Sequence, residues 1–188
     1  MSGYGSTDWV QAVEIPRLEA EIHRAEFMVI SRVATAVSSD EDASSFVNGI
    51  EFEQNTGEFQ LEADVGGIRN ISGRTLLVSD GLVSMHLVST NVSNKLVKMF
   101  SERGTDKVVW TKNADSGRQT SISSNTEDYG SKSSEAFEWL DNEVIRFKIF
   151  TDGGNVDLSP VSFLADGDTV TGPSFRWKLK EALPPHGV

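Results

Sequence analysis

The chain has 188 residues, no cysteine, and 17 Lys and Arg against 28 Asp and Glu, for a formal charge of −11. The missing thiols exclude a disulfide scaffold, a thiol nucleophile and every cysteine zinc site, while the acidic balance opposes accumulation on nucleic-acid phosphates or anionic lipid. A hydrophobic share of 38% suffices for one sizeable core, and no apolar run approaches the ~20 residues of a spanning helix or the pattern of a leader, so a soluble chain without an export signal is expected.

In chain order, residues 1–45 read as an arm with an acidic linker, 46–182 as a β domain and 183–188 as a short tail. The first eight residues are small or polar apart from Tyr4, so their order needs a partner surface, and Trp9 is the first anchor. Leu18, Ile22, Ala25 and Val29 form a helical stripe behind Pro16, which predicts a short helix over 16–27. The same neighbourhood also reads as strand, because Val29, Ser31, Val33, Thr35 and Val37 share one alternating face. Residues 38–45, with Asp40, Glu41 and Asp42 among serines, read as a solvated connector.

From Phe46 onward the pattern is that of strands. Ile50 and Phe52 share one strand face, Phe59 and Leu61 the next, and Asn55-Thr56-Gly57 supplies the turn between them. Short runs follow at 75–78, 82–88, 96–100, 108–110, 145–150 and 175–179. Between them, residues 114–134 are almost wholly polar and predict a long surface excursion pinned by Ile122 and Tyr129. The spacing favours an all-β antiparallel sandwich or barrel.

Catalytic patterns are absent. His23, His86 and His186 have no compact ligand spacing; His86 reads as an outward strand residue and His23 as an exposed arm residue. No serine sits in a G-x-S-x-G setting, and the pairs Glu51/Glu53 and Glu58/Glu62 are explained as wet strand positions opposite apolar ones. The Asp-Gly tracts around Asp152 and Asp166 to Asp168 are turn chemistry. The chain is therefore expected to be non-enzymatic, with no metal and no cofactor. Aromatic side chains favour binding instead: Phe147, Phe175 and Trp177 lie on buried strand faces, whereas Tyr4, Trp9 and Trp139 are placed to cover a partner or an inter-subunit seam, together with the stripe Leu18, Ile22 and Val29.

The runs GIEFEQNTGEFQLE, NEVIRFKIFTDGG and GPSFRWKLKE together resemble the C1q/TNF-like jelly-roll superfamily, including its viral and phage members, over residues 46–182. Ile50 and Phe52 match an early core strand, Gly57 and Phe59 the turn and next strand, residues 144–150 a late core strand and 175–179 the last strand. The resemblance implies a two-sheet antiparallel jelly-roll sandwich, here preceded by a short N-terminal helix or extended arm. It also implies a homotrimer, in which Phe52, Phe59, Phe147, Phe175 and Trp177 are core or trimer residues.

Its viral members imply a capsid decoration or cement protein on the virion exterior, soluble in the host cytoplasm before assembly. Tyr4, Trp9, Leu18, Ile22 and Val29 would then bind the major capsid protein. The alternative is a phage spike or tail-fibre head, with Asp115, Tyr129, Asp152 and Asp168 on loops that meet a host receptor or carbohydrate. Neither reading involves nucleic acid or membrane.

Overall fold

The computed structural model describes residues 15, 18, 24–40, 45–89, 95–122, 127–133, 137–153, 156–165 and 168–182. Strands account for the regular structure: β1 (Glu26–Ser31), β2 (Thr35–Ala36), β3 (Ser45–Phe46), β4 (Ile50–Asn55), β5 (Phe59–Glu62), β6 (Gly67–Asn70), β7 (Leu76–Ser89) and β8 (Lys95–Gly104). They continue as β9 (Thr111–Ile122), β10 (Glu127–Ser133), β11 (Phe137–Trp139), β12 (Val144–Thr151), β13 (Val156–Leu158), β14 (Val161–Ala165), β15 (Asp168–Gly172) and β16 (Phe175–Glu181).

One sheet runs β2-β13-β7-β16-β1-β4, with β10 and β11 also paired to β7. The second runs β5-β6-β12-β8-β9, with β3 on β12, and β14 and β15 form a separate ribbon. All named strand pairs are antiparallel. The protein is an all-β, jelly-roll-like sandwich of two antiparallel sheets.

The core forms where period-two apolar positions of the two sheets meet. Phe27 of β1 lies between Phe59 of β5 and Trp177 of β16, each with ring centroids 4.7 Å away, and Phe147 of β12 contacts Trp177 at 4.7 Å and Phe175 at 5.6 Å. Trp139 of β11 stacks on Trp177 at 6.1 Å and is fully buried, its indole Nε1 donating to the Glu143 carbonyl at 2.9 Å. Edge-on and offset contacts of this kind add to what burial of the rings supplies. Phe52 packs on this cluster from β4 and is only partly covered.

Several expectations are corrected. The helix forecast to run through Phe27 gives way to strand at Glu26, because Phe27 and Val29 fill the inner face of β1 at period two, between β16 and β4, with buried Ala25 just ahead of it. Ile15 and Leu18 have helical backbone, yet no helix is an element of the fold among the described residues. The sheets thus begin upstream of the boundary expected at Phe46. The predicted turn is present, with Gly57 at φ +107° and its N–H donating to Asn55 Oδ1 at 2.9 Å, but it carries the chain from one sheet to the other: β4 pairs with β1, and β5 pairs with β6.

The runs at 75–78 and 82–88 are one strand, β7. Residues 108–110, expected as a strand, are loop between β8 and β9. The expected excursion over 114–134 contains most of β9 and all of β10, which are held by backbone ladders to β8 and β7. Trp139, assigned to a partner seam, belongs to the core.

Candidate partner-binding site

β8 and β9 are joined by residues 105–110, and two of them, Val108 and Val109, are 80% and 68% exposed. Water favours burying such side chains, so a fold that displays two in succession must fix the backbone by other means. It does so with polar bonds. The Asp106 carboxylate Oδ1 accepts from the N–H groups of Val108 and Val109, both at 2.9 Å, which closes an Asx-type turn. These two amides hold the Asp106 carboxyl below its ordinary range.

Lys107 sits in the left-handed region at φ +61° and is pinned there at both ends. Its carbonyl accepts from Trp110 Nε1 at 3.2 Å. Its ammonium bonds the Glu62 carboxylate and both Asp64 oxygens, the latter at 3.0 and 3.1 Å. Glu62 first and Asp64 second raise the Lys107 pKa above its usual value, and the Lys107 bond lowers that of Asp64. The Trp110 ring in turn carries the Arg146 guanidinium 3.7 Å from its centroid, and Arg146 donates twice to Glu102 Oε2, at 2.9 and 2.8 Å.

Gly104, the last residue of β8, lets the returning loop come close. A Cβ there would run into the carbonyl oxygen of Val109. Beside the tip lies an open concavity of about 290 Å³, lined by Arg103, Asp106, Val109, Thr111 and Glu143 among others. The site therefore combines two projecting apolar side chains, a rigid backbone and a shallow polar depression, which is the make-up of a protein contact surface.

A second surface lies on the outward face of the β7 sheet. Leu77 and Leu82 are 47% and 45% exposed there, flanked on β16 by Arg176, Lys178 and Lys180. Glu26 of β1 bonds Lys178 at 3.3 Å and Lys180 at 2.8 Å, and Arg176 keeps a buried Nε with no hydrogen-bond partner. His86, expected to face outward, occupies that face of β7 but is buried, because Ser159 closes over it and its carbonyl meets the ring Nδ1 at 2.7 Å.

The residues singled out in the sequence are dispersed. Tyr4, Trp9 and Ile22 lie outside the described residues. Leu18 is exposed, whereas Val29 is buried in the core. Phe59, Phe147, Phe175 and Trp177 come together inside the sandwich, with Phe52 at its margin. Asp115 falls in β9 and Tyr129 in β10 opposite Met85, so both belong to strands and not to loops. Asp152 is an exposed turn residue whose Oδ1 accepts from Leu96 N at 2.9 Å, and exposed Asp168 opens β15.

Lys107, Val108 and Val109 were missed as site residues. The signal available was the Thr-Asp-Lys lead-in, an Asx-turn composition that overrides the β-branched pair following it. Among the described residues no group of three or more His, Asp or Glu is placed to hold a metal ion.

Neither a protein-family model nor a curated protein matches the chain. Solved structures do. Murine APRIL at pH 5.0 is 12% identical, with 84% of this chain and 98% of that chain covered and a TM-score of 0.50. The Eiger TNF of S. frugiperda is 11% identical, with 88% and 97% covered and a TM-score of 0.47. At such identities the APRIL likeness shows the fold alone, a jelly roll. The viral setting is corrected by the APRIL likeness, since the matched chain is a mouse protein and not a shell or tail component. A jelly roll shared by many functions carries no setting of its own. The cement and spike roles, the major capsid protein as partner and the virion location all fall with it.

Proposed function

We propose that the chain is a non-enzymatic binding module that assembles as a homotrimer and engages a protein receptor through the β8–β9 tip. The observation that carries the reading is the exposure of Val108 and Val109 on a backbone locked by Asp106 and Lys107. A side chain of this type contributes about 1.5–3 kcal/mol when fully buried, so two presented without a conformational search favour docking. The outward face of the β7 sheet, with Leu77 and Leu82, supports assembly, because apolar side chains on an otherwise charged face are those a neighbouring subunit covers.

The test uses an array of purified receptor ectodomains, probed with the wild-type chain and with the double variant Val108→Ser/Val109→Ser, alongside light scattering for mass. The expected result is a three-chain mass for both proteins and a receptor signal that the double variant loses at unchanged melting temperature. A signal that survives the double substitution, or a persistent monomer, removes the reading.

A further inference from the structure

We propose that Glu62 and Lys107 form an acid-released latch that sets the β8–β9 tip, a regulation that rests on the tip being the docking element. Glu62 ends β5 and is buried, and its two carboxylate oxygens are divided between elements: Oε1 receives Arg69 Nε from β6, and Oε2 receives the Lys107 ammonium from the tip. Arg69 has a second acceptor, the Asn142 carbonyl at 2.6 Å, so it stays anchored whatever happens to Glu62. Lys107 does not have an equivalent. Its other partner, Asp64, has a side chain 63% exposed to water, where an ion pair holds little.

A proton on Glu62 removes the buried half of the clamp. Lys107 then keeps its left-handed backbone only against the steric preference of any non-glycine residue, and its relaxation to negative φ carries Val108, Val109 and the acceptor for Trp110 Nε1 with it.

The charged groups facing Glu62 are Arg69 from β6, Lys107 from the tip and Asp64 from the β5–β6 turn. Around the adjoining concavity, Asp106 accepts from the Val108 and Val109 amides, Arg103 donates to the Glu138 carbonyl and Glu143 accepts from the Leu140 amide, so each is engaged elsewhere. Burial pushes the Glu62 carboxyl up, but the bonds from Lys107 and Arg69 outweigh it and hold the group below the ordinary glutamate range. A carboxylate lowered in this way is charged at neutral pH and keeps the latch closed. The latch opens as pH falls through the lowered value.

The test follows the amide protection of Val108 and Val109 and the Trp110 indole N–H signal by NMR across an acid titration of the full chain, in wild type, Glu62→Gln and Asp106→Asn. Wild type is expected to lose protection in one step below the ordinary glutamate range. Glu62→Gln is open already at pH 7, with protection about fivefold lower, and shows no step. Asp106→Asn retains the acceptor oxygen and the step. Should Glu62→Gln fold poorly, Lys107→Met leaves the carboxylate in place and opens the tip at neutral pH.

A step that persists in Glu62→Gln, or a tip as protected in Lys107→Met as in wild type, overturns the latch. Since these signals need no receptor, a latch that titrates while Val108→Ser/Val109→Ser binds normally removes the docking reading alone.

Discussion

Trp139 and Val109 are large apolar residues with opposite surroundings, the first fully buried and the second 68% exposed, and each belongs to a well-defined region. The seam around Trp139 is held by many non-directional contacts among Phe27, Phe59 and Trp177, so its geometry survives the loss of any one polar bond. The tip around Val109 has no such packing. Its shape comes from a few directional bonds, from two amides to Asp106 and from Lys107 to Glu62 and Asp64, any of which can be removed singly. The fold thus uses burial where permanence is needed and polar bonds where an apolar side chain must remain available to another molecule.

The sharpest break in that contrast is Trp139→Ala. It opens a cavity where three aromatic rings converge and takes one donor from the Glu143 carbonyl, which keeps the Asn70 amide, and large-to-small aromatic changes in cores cost about 3–5 kcal/mol. Urea unfolding followed by tryptophan fluorescence should show a lowered midpoint for the whole domain. A loss under about 1 kcal/mol would mean that the seam is not the centre of the core.

Gly104→Ala addresses the other region. The new methyl meets the Val109 carbonyl oxygen, which is backbone and cannot turn aside, so the tip must shift relative to β8. Overpacking of this kind costs about 1–3 kcal/mol where the surroundings are packed, and here an exposed loop takes up part of it. The expected signature is local: amide exchange at Val108 and Val109 accelerates while exchange in β12 and β16 stays as in wild type. Equal acceleration in those core strands would show that the tip and the seam are one cooperative unit.

The same contrast explains what the sequence disclosed. The strands that build the seam were legible, since Ile145, Phe147 and Ile149, and likewise Phe175, Trp177 and Leu179, alternate with charged residues and end up buried on one face. β9 and β10 were not, because their pairing with β8 and β7 is made by backbone groups that any residue carries. The neighbourhood of the first strand reads both as helix and as strand, because Ala25 and Val29 satisfy a 3.6-residue period as well as Phe27 and Val29 satisfy a period of two, and only the partners β16 and β4 decide between them. In the tip, β-branched Val108 and Val109 suggested strand, and the Asp106 turn prevailed over that propensity.

Glu181 stands between the two regimes, a polar clamp on a core strand. Its carboxylate takes both Arg74 guanidinium nitrogens and the Ala25 amide at 3.1 Å, while its carbonyl accepts from Arg24 Nε at 2.5 Å, so the end of β16 is tied to the entry of β1. Burial pushes this carboxyl up, and the Arg74 and Ala25 bonds outweigh it and hold it below the ordinary glutamate range. A lowered carboxylate contributes stability that is complete above the unfolded value of about 4.3 and fades as pH falls through the folded one. Glu181→Gln should therefore lower the unfolding free energy at pH 7 by about 1 kcal/mol or less, given partial solvent screening, and the gap to wild type should close in acid. A gap that is the same at pH 7 and pH 3 would mean that Glu181 acts there through packing and neutral hydrogen bonds, which would move it to the side of the seam.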